Sequence, residues 1–164
     1  MIMIIEYLKS YDEKKFEFKH GKSTPELRVK PCTLEEIQEI RDLLNDSHPM
    51  PKAFEEFLYI GGKVTGLPLD IEFRTIKGWS VYVKEEMPKR GVKMDRPIAV
   101  FHQLESCFFV CIYLDEGDNP VPWNCSTDPE FDNDEGEKVW KSPFKTFKEL
   151  IDEMVKLALV GQGM

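Results

Sequence analysis

The chain predicts an α+β fold, a central and mainly antiparallel sheet packed by N-terminal helices and a C-terminal helix. Three observations carry this expectation. Apolar residues recur at helical spacing towards both ends of the chain, whereas the middle turns to β-prone runs that either alternate or are apolar throughout. A short link, QLES, joins two of those runs closely enough for an antiparallel hairpin.

Residues 15–30 read as a small hairpin: Phe16 and Phe18 alternate with charges, a GKST turn follows, and Leu27 and Val29 alternate again. The preceding IEYLKSYDEKK fits a helical turn equally well. Thr33 with Glu36 is a capping box, and Leu34, Ile37, Ile40 and Leu44 follow at helical spacing until Asn45, Asp46 and Ser47 end the pattern. Pro51 suits the first turn of a second helix whose Phe54, Phe57 and Leu58 share a face before Gly61 and Gly62 stop it. Trp79, Val81 and Val83 alternate with Ser80, Tyr82 and Lys84, which predicts a strand. After the basic loop PKRGVKMDR, PIAVFH predicts another. Residues 107–114 are apolar on both faces, the signature of a central strand. Either Ser142 with Pro143 or Thr146 with Glu149 caps the closing helix, whose buried face is Phe147, Leu150, Ile151, Met154, Val155 and Ala158 before Gly161.

At 164 residues the chain fits one domain able to bury a core without metals or disulfides. With 41% hydrophobic and 32% charged residues it is expected to be folded and soluble, and its apolar runs are far short of a membrane span. The opening MIMII lacks a basic flank and a small-residue cleavage site, so export by that route is not expected. Cys32, Cys107, Cys111 and Cys125 show no CxxC pair and no paired spacing with histidines. Reduced thiols, a cytoplasmic location and no zinc site are the expectation.

The net charge of −8 is concentrated in one place. Between Asp115 and Glu137 lie nine of the thirty acids and none of the twenty-two bases, so the remaining chain is nearly neutral. Such a tract would repel a phosphate backbone, and nucleic acid is not an expected partner.

Few residues suggest chemistry. His102 and Cys107 flank QLES and could face each other across the hairpin, where a histidine would lower a thiol pKa, but no third group orients them and a structural pair is the stronger reading. The run DPEFDNDEGEK invites a calcium loop, yet counting back from Gly136 puts Phe131 first, and counting forward from Asp128 puts Val139 twelfth. Both registers fail. Gly61, Gly62 and Gly66 have no phosphate-loop spacing, and Lys84, Lys89, Arg90, Lys93 and Arg96 read as a solvated basic connector. No catalytic residue, metal ligand or cofactor is assigned.

PKAFEEFLYIGG resembles the early helix and glycine turn of the SUKH superfamily, which includes yeast cell-wall regulators tied to killer-toxin resistance and many bacterial toxin-immunity proteins. Pro51, Phe54, Phe57, Leu58, Gly61 and Gly62 stand at the pattern's places, while Met50 replaces its leucine and Ile60 its asparagine. LDEGDNPVPWN is similar to the family's acidic turn entering a strand, through Gly117, Asp118, Pro120 and Val121, and SPFKTFKELI to the start of its closing helix. The matches run in order over residues 34–155. On this resemblance residues 32–164 are a SUKH-like domain and residues 1–31 an extension within the same globule.

The resemblance implies a non-catalytic domain that binds another protein, for bacterial members typically a toxin domain, often a nuclease, neutralised in the cytoplasm. It transfers no catalytic residue. The expected partner surface is the acidic tract: Asp115, Glu116, Asp118, Asp128, Glu130 and Asp132, with Trp123 and Phe131 as aromatic anchors facing a basic cleft. Two other readings are a cytoplasmic adaptor for a housekeeping partner and a small thiol enzyme using Cys107 and His102.

Overall fold

A computed structural model of the chain describes residues 2–19, 29–70 and 73–162. Among them, helices come first, strands in the middle and a helix at the end. The elements are α1 (Lys9–Lys14), α2 (Leu34–Asn45), α3 (Lys52–Gly61), α4 (Phe73–Glu86), β1 (Ile98–Glu105), β2 (Phe108–Tyr113), β3 (Trp123–Ser126), β4 (Val139–Lys141) and α5 (Phe147–Val160). The sheet is antiparallel in the order β1-β2-β3-β4, so the fold is α+β as expected.

Local signals place most of these elements. Thr33 Oγ1 accepts from the Glu36 amide at 3.2 Å while Glu36 Oε2 accepts from the Thr33 amide at 2.8 Å, closing the capping box of α2. Of the two caps open for α5, Thr146 is the one used, its hydroxyl accepting from the Glu149 amide. All six residues expected on the buried face of α5 are buried. Strand β2 lies between β1 and β3, and Phe109, Val110, Cys111 and Ile112 are buried in turn, which requires cover on both faces. Against β2 stands α4, with the Trp79 and Tyr82 rings 5.2 and 6.0 Å from Phe109. Helices α3 and α5 meet the sheet in an aromatic cluster, Phe147 standing edge-on to Phe54, Phe57 and Phe101 at 5.9, 5.6 and 5.0 Å. Each such pair contributes about 0.5–1.5 kcal/mol beyond its buried area.

Three expectations are corrected. Residues 79–84 are not a strand but the middle of α4, where Ile76, Ser80 and Val83 form the buried stripe and Val81 points outward. Their alternation misled because the stripe contains a serine: Ser80 Oγ accepts from the Val100 amide at 2.8 Å, covering a polar group of the edge strand β1. The hairpin link is tighter than QLES, since Gln103, Leu104 and Glu105 belong to β1 and only Ser106 and Cys107 turn. Residues 15–19 form no strand; Phe18 is buried and stacks on Tyr11 at 6.0 Å, while Phe16 is exposed. Val29 is buried and Lys30 forms an isolated bridge with Val64, while the part of the expected hairpin between them and Lys19, including GKST and Leu27, lies outside the described residues.

The start of the chain is bound into the core by α3. Glu56 is wholly buried and its carboxyl oxygens accept from the backbone amides of Glu6, Tyr7 and Leu8 at 2.8, 2.9 and 2.8 Å. Leu8, Tyr11 and Phe18 lie in the same core as the helices and sheet. Gly61 is needed at this junction, because a Cβ there would stand 2.1 Å from Tyr11 Oη, a hydroxyl that itself donates to the Thr65 carbonyl at 2.6 Å. At Gly62 a Cβ would meet Cys32 Sγ at 2.5 Å. Close packing, more than the ending of the helix, calls for the glycine pair. Glu56→Ala strips three backbone donors, one buried and two part-buried, of their acceptor and is expected to lower the free energy of unfolding by about 3 kcal/mol. Glu56→Gln, which keeps the shape and one carbonyl oxygen, lowers it by less, and urea unfolding of both variants measures the difference.

Candidate functional site

The acidic tract begins with a turn that serves the fold. Gly117 takes a φ of 83°, a conformation that glycine adopts without strain. The turn then presents acceptors to two helix starts: the Asp118 carbonyl to the Ala53 amide (2.9 Å), Asn119 Oδ1 to the Lys148 amide (3.0 Å) and the Pro120 carbonyl to the Phe147 amide (2.7 Å). The first amides of a helix have no partner within it, so these bonds complete α3 and α5 together.

Beside the turn, Asp115 and Glu116 converge on Arg96, with contacts of 2.6 and 3.2 Å from its Nη2. The Arg96 guanidinium holds the Asp115 carboxyl below the usual carboxylate range. It also lies 3.8 Å above the Tyr113 ring, which stands edge-on to Trp123 at 5.7 Å, with Lys141 Nζ over the indole at 5.6 Å. Asp115, Glu116 and Trp123 thus belong to one cluster, with Trp123 half-buried and its ring nitrogen enclosed without a hydrogen-bond partner. Asp118 is exposed.

The remaining residues sit at the other end of β3, beyond the buried Asn124, Cys125 and Ser126. Asp128 caps a 3-10 turn, Pro129–Phe131, by accepting from the Glu130 amide at 2.9 Å. Asp132 makes a two-pronged pair with Arg90 at 2.9 and 2.8 Å, and both side chains are largely shielded, 14% and 13% exposed. Arg90 lowers the Asp132 carboxyl pKa, and its guanidinium also donates to the Ser126 carbonyl at 2.6 Å. Asn133 closes the following turn, its Oδ1 accepting from the amides of Glu135 (3.1 Å) and Glu137 (2.7 Å). What this frame displays to solvent is Glu130, Asp134, Glu135 and Glu137, beside a half-buried Phe131.

The tract is therefore two surfaces separated by β3, and part of its charge is neutralised within the molecule. The reading of PKRGVKMDR as a solvated connector is corrected accordingly, because Arg90 and Arg96 are the internal counter-charges of Asp132 and of Asp115 with Glu116. Both charge blocks are visible in the sequence, but nothing in it joins them. The local signal for the turn after Asp132 is Asn133, three residues before Gly136.

The thiol and histidine pair is not assembled. His102 pairs with Val110 across the hairpin, its Nδ1 accepts from the Asp70 amide at 3.2 Å, and its buried Nε2 has no partner. Cys107 lies in the turn, where its carbonyl accepts from the Thr127 amide. Burial pushes the imidazole down to about 4 despite the nearby Asp70, so His102 is a neutral core residue at physiological pH. All four cysteines are free, with the Cys32 thiol pushed up to about 12 by burial and the Cys125 thiol raised by its hydrogen bond with Cys111 and by burial. Among the described residues no group of three or more His, Cys, Asp or Glu could hold a metal ion, and no helix is long and apolar enough to cross a membrane.

The site and fold together define an α+β domain with a divided acidic surface. Compared with protein-family models, curated proteins and solved structures, the chain matches none.

Two predictions separate structural from displayed charge. Asp132→Asn breaks the shielded pair with Arg90 and is expected to cost about 1–3 kcal/mol, whereas Glu130→Gln stays within about 0.5 kcal/mol, as thermal unfolding would show. His102 generates a pH dependence of its own. An unfolded histidine takes its proton near pH 6.5 while the folded one resists until about 4, so the unfolded state binds more protons in that window and stability falls as pH drops through it. The expected loss is about 3 kcal/mol, and His102→Gln should flatten this slope in urea titrations across the same range.

Proposed function

We propose that this chain is a non-catalytic protein-binding domain of the SUKH type, and within that type an immunity protein that neutralises a basic toxin domain, such as a nuclease, in the cytoplasm. The observation that carries the reading is the displayed acid on the β3–β4 loop. Glu130, Asp134, Glu135 and Glu137 are exposed, no Lys or Arg falls between residues 115 and 137, and Asn133 fixes the loop by its hydrogen bonds. Preformed negative charge speeds encounter with a basic cleft and competes there with phosphate. Ordering the loop in advance removes an entropic cost that a floppy acidic segment would meet on binding. The ordered SUKH-like motifs over residues 34–155 support the same class.

Affinity capture from the source organism at low salt tests this, comparing the native chain with Glu130→Lys/Asp134→Lys/Glu135→Lys. These three positions spare Asp128 and Asp132, whose side chains serve the fold. A basic toxin domain should be retained by the native chain, released by salt, and bound at least about tenfold more weakly by the variant. Equal retention by both would remove this face from the interface. Retention of a metabolic enzyme or structural protein by both would favour the adaptor reading.

A further inference from the structure

Away from the β3–β4 loop, α2 and α4 leave an apolar cleft open. Leu43 on α2 is 53% exposed and Val81 on α4 is 37% exposed, and both line the same cavity of about 200 Å³, whose floor includes Leu44 and Ile98. Leu43, Leu44 and Lys84 also line a second cavity of about 410 Å³ that runs on past Pro97 and Leu114 to Asp115. The cleft therefore leads from an apolar slot to the first half of the acidic surface.

Its rim is built. After α2 the chain takes two consecutive left-handed residues, Asp46 (φ 48°) and Ser47 (φ 64°), neither of them glycine. The conformation is held by Ser47 Oγ on Asp42 at 2.7 Å and by Asn45 Nδ2, which donates to the carbonyls of His48 and Pro49 at 3.1 and 3.0 Å. Such backbone persists where its surroundings over-determine it, and here it sets Asp46 and His48 at the mouth of the larger cavity.

The charge around the two cavities selects the occupant. Asp46, Glu85, Asp95 and Asp115 line them with Lys84; Asp95 pairs with Lys93, and Asp115 shares Arg96 with Glu116, so acids still outnumber bases around the mouth, and among the described residues Asp46 and Glu85 stand outside any ion pair. A second copy of this chain would bring the same acids and a net charge of −8, so self-association through the cleft is opposed. The apolar slot by itself, about 200 Å³, has a size that suits one side chain, and the larger cavity beside it leaves room for the residues that flank that side chain.

We infer that the cleft between α2 and α4 is the apolar half of the docking surface: it takes a segment of a basic protein that seats one aliphatic or aromatic side chain between Leu43 and Val81, with flanking Lys or Arg against the acidic rim. This rests on the protein-binding reading above and adds the anchor that charge alone does not supply. Hot spots of protein interfaces are buried anchors of this kind, with charged residues around them.

The test uses two peptides, acetyl-Lys-Lys-Trp-Lys-Lys-amide and the same peptide with glycine in place of tryptophan. Each is titrated at low ionic strength into the isotope-labelled full chain while its amide resonances are followed by NMR. The tryptophan peptide should shift Leu43, Val81, Lys84 and Ile98; the glycine peptide should leave them in place and perturb only exposed acids such as Asp118, Glu130 and Glu135. Leu43→Ser/Val81→Ser, at two exposed positions, should weaken the cleft response about tenfold without changing that of the acids. Identical shifts from both peptides, confined to the acids, would overturn the cleft and leave the acidic face standing. No shift from either peptide would overturn both.

Discussion

Two helices of this fold begin inside the protein, and one turn supplies the acceptors that let them do so. The Asp118 carbonyl, the Asn119 side chain and the Pro120 carbonyl take up the leading amides of α3 and α5. Those bonds set the two helix starts side by side, which aims Phe54 and Phe57 at the edge of Phe147. Phe147 in turn meets Phe101 of the sheet. The aromatic core is thus aligned by polar bonds at its rim, since dispersion alone does not choose a direction. What looks in the sequence like an acidic display segment is first a joint between helices.

The same economy governs the charges. Two arginines of the loop after α4 are spent on three carboxylates of the tract, so a block of acids and a block of bases that look independent in the sequence are partly each other's solvent. A two-pronged guanidinium and carboxylate pair is directional as well as attractive, and Arg90 uses it to hold the start of the β3–β4 loop while also binding Ser126. Asp128 has no such cation but caps the turn at Pro129, and Glu130, Asp134 and Glu135 are left exposed beyond it. Those exposed acids are the residues available to a partner.

How much of this was legible follows from the range of each interaction. The caps of α2 and α5, the central character of β2 and the turn at Gly117 are local, and each was readable from a few neighbouring residues. α4 was misread because its buried stripe includes Ser80, whose hydroxyl serves Val100 on a strand twenty residues away. A polar residue in that stripe left the alternation of Trp79, Val81 and Val83 as the stronger signal. β4, with three residues, is too short to have a period. The pair of Arg90 with Asp132 spans forty-two residues, and a backbone acceptor such as Pro120 leaves no mark in the sequence at all, since every residue carries a carbonyl. Of the eight expected partner residues, the structure groups Asp115, Glu116 and Trp123 around Arg96 and Tyr113, and assigns Asp132 to Arg90; the divide between them depends on where β3 runs.

The burial of Glu56 under the backbone of residues 6–8 has a consequence for how the chain comes to be folded. The segment before α2 leans on α3 through that carboxyl and on α5 through the Lys19 amide, which donates to the Ala158 carbonyl at 2.8 Å. A ribosome releases the first of these partners long before the last. Until α5 emerges, Tyr11 and Phe18 lack the helix that completes their surroundings, and the nascent chain carries exposed aromatic rings. Closure between distant parts of a chain is slow to nucleate because the intervening loop must be ordered first. During synthesis the segment before α2 therefore stays incompletely covered until α5 is available to pack against it.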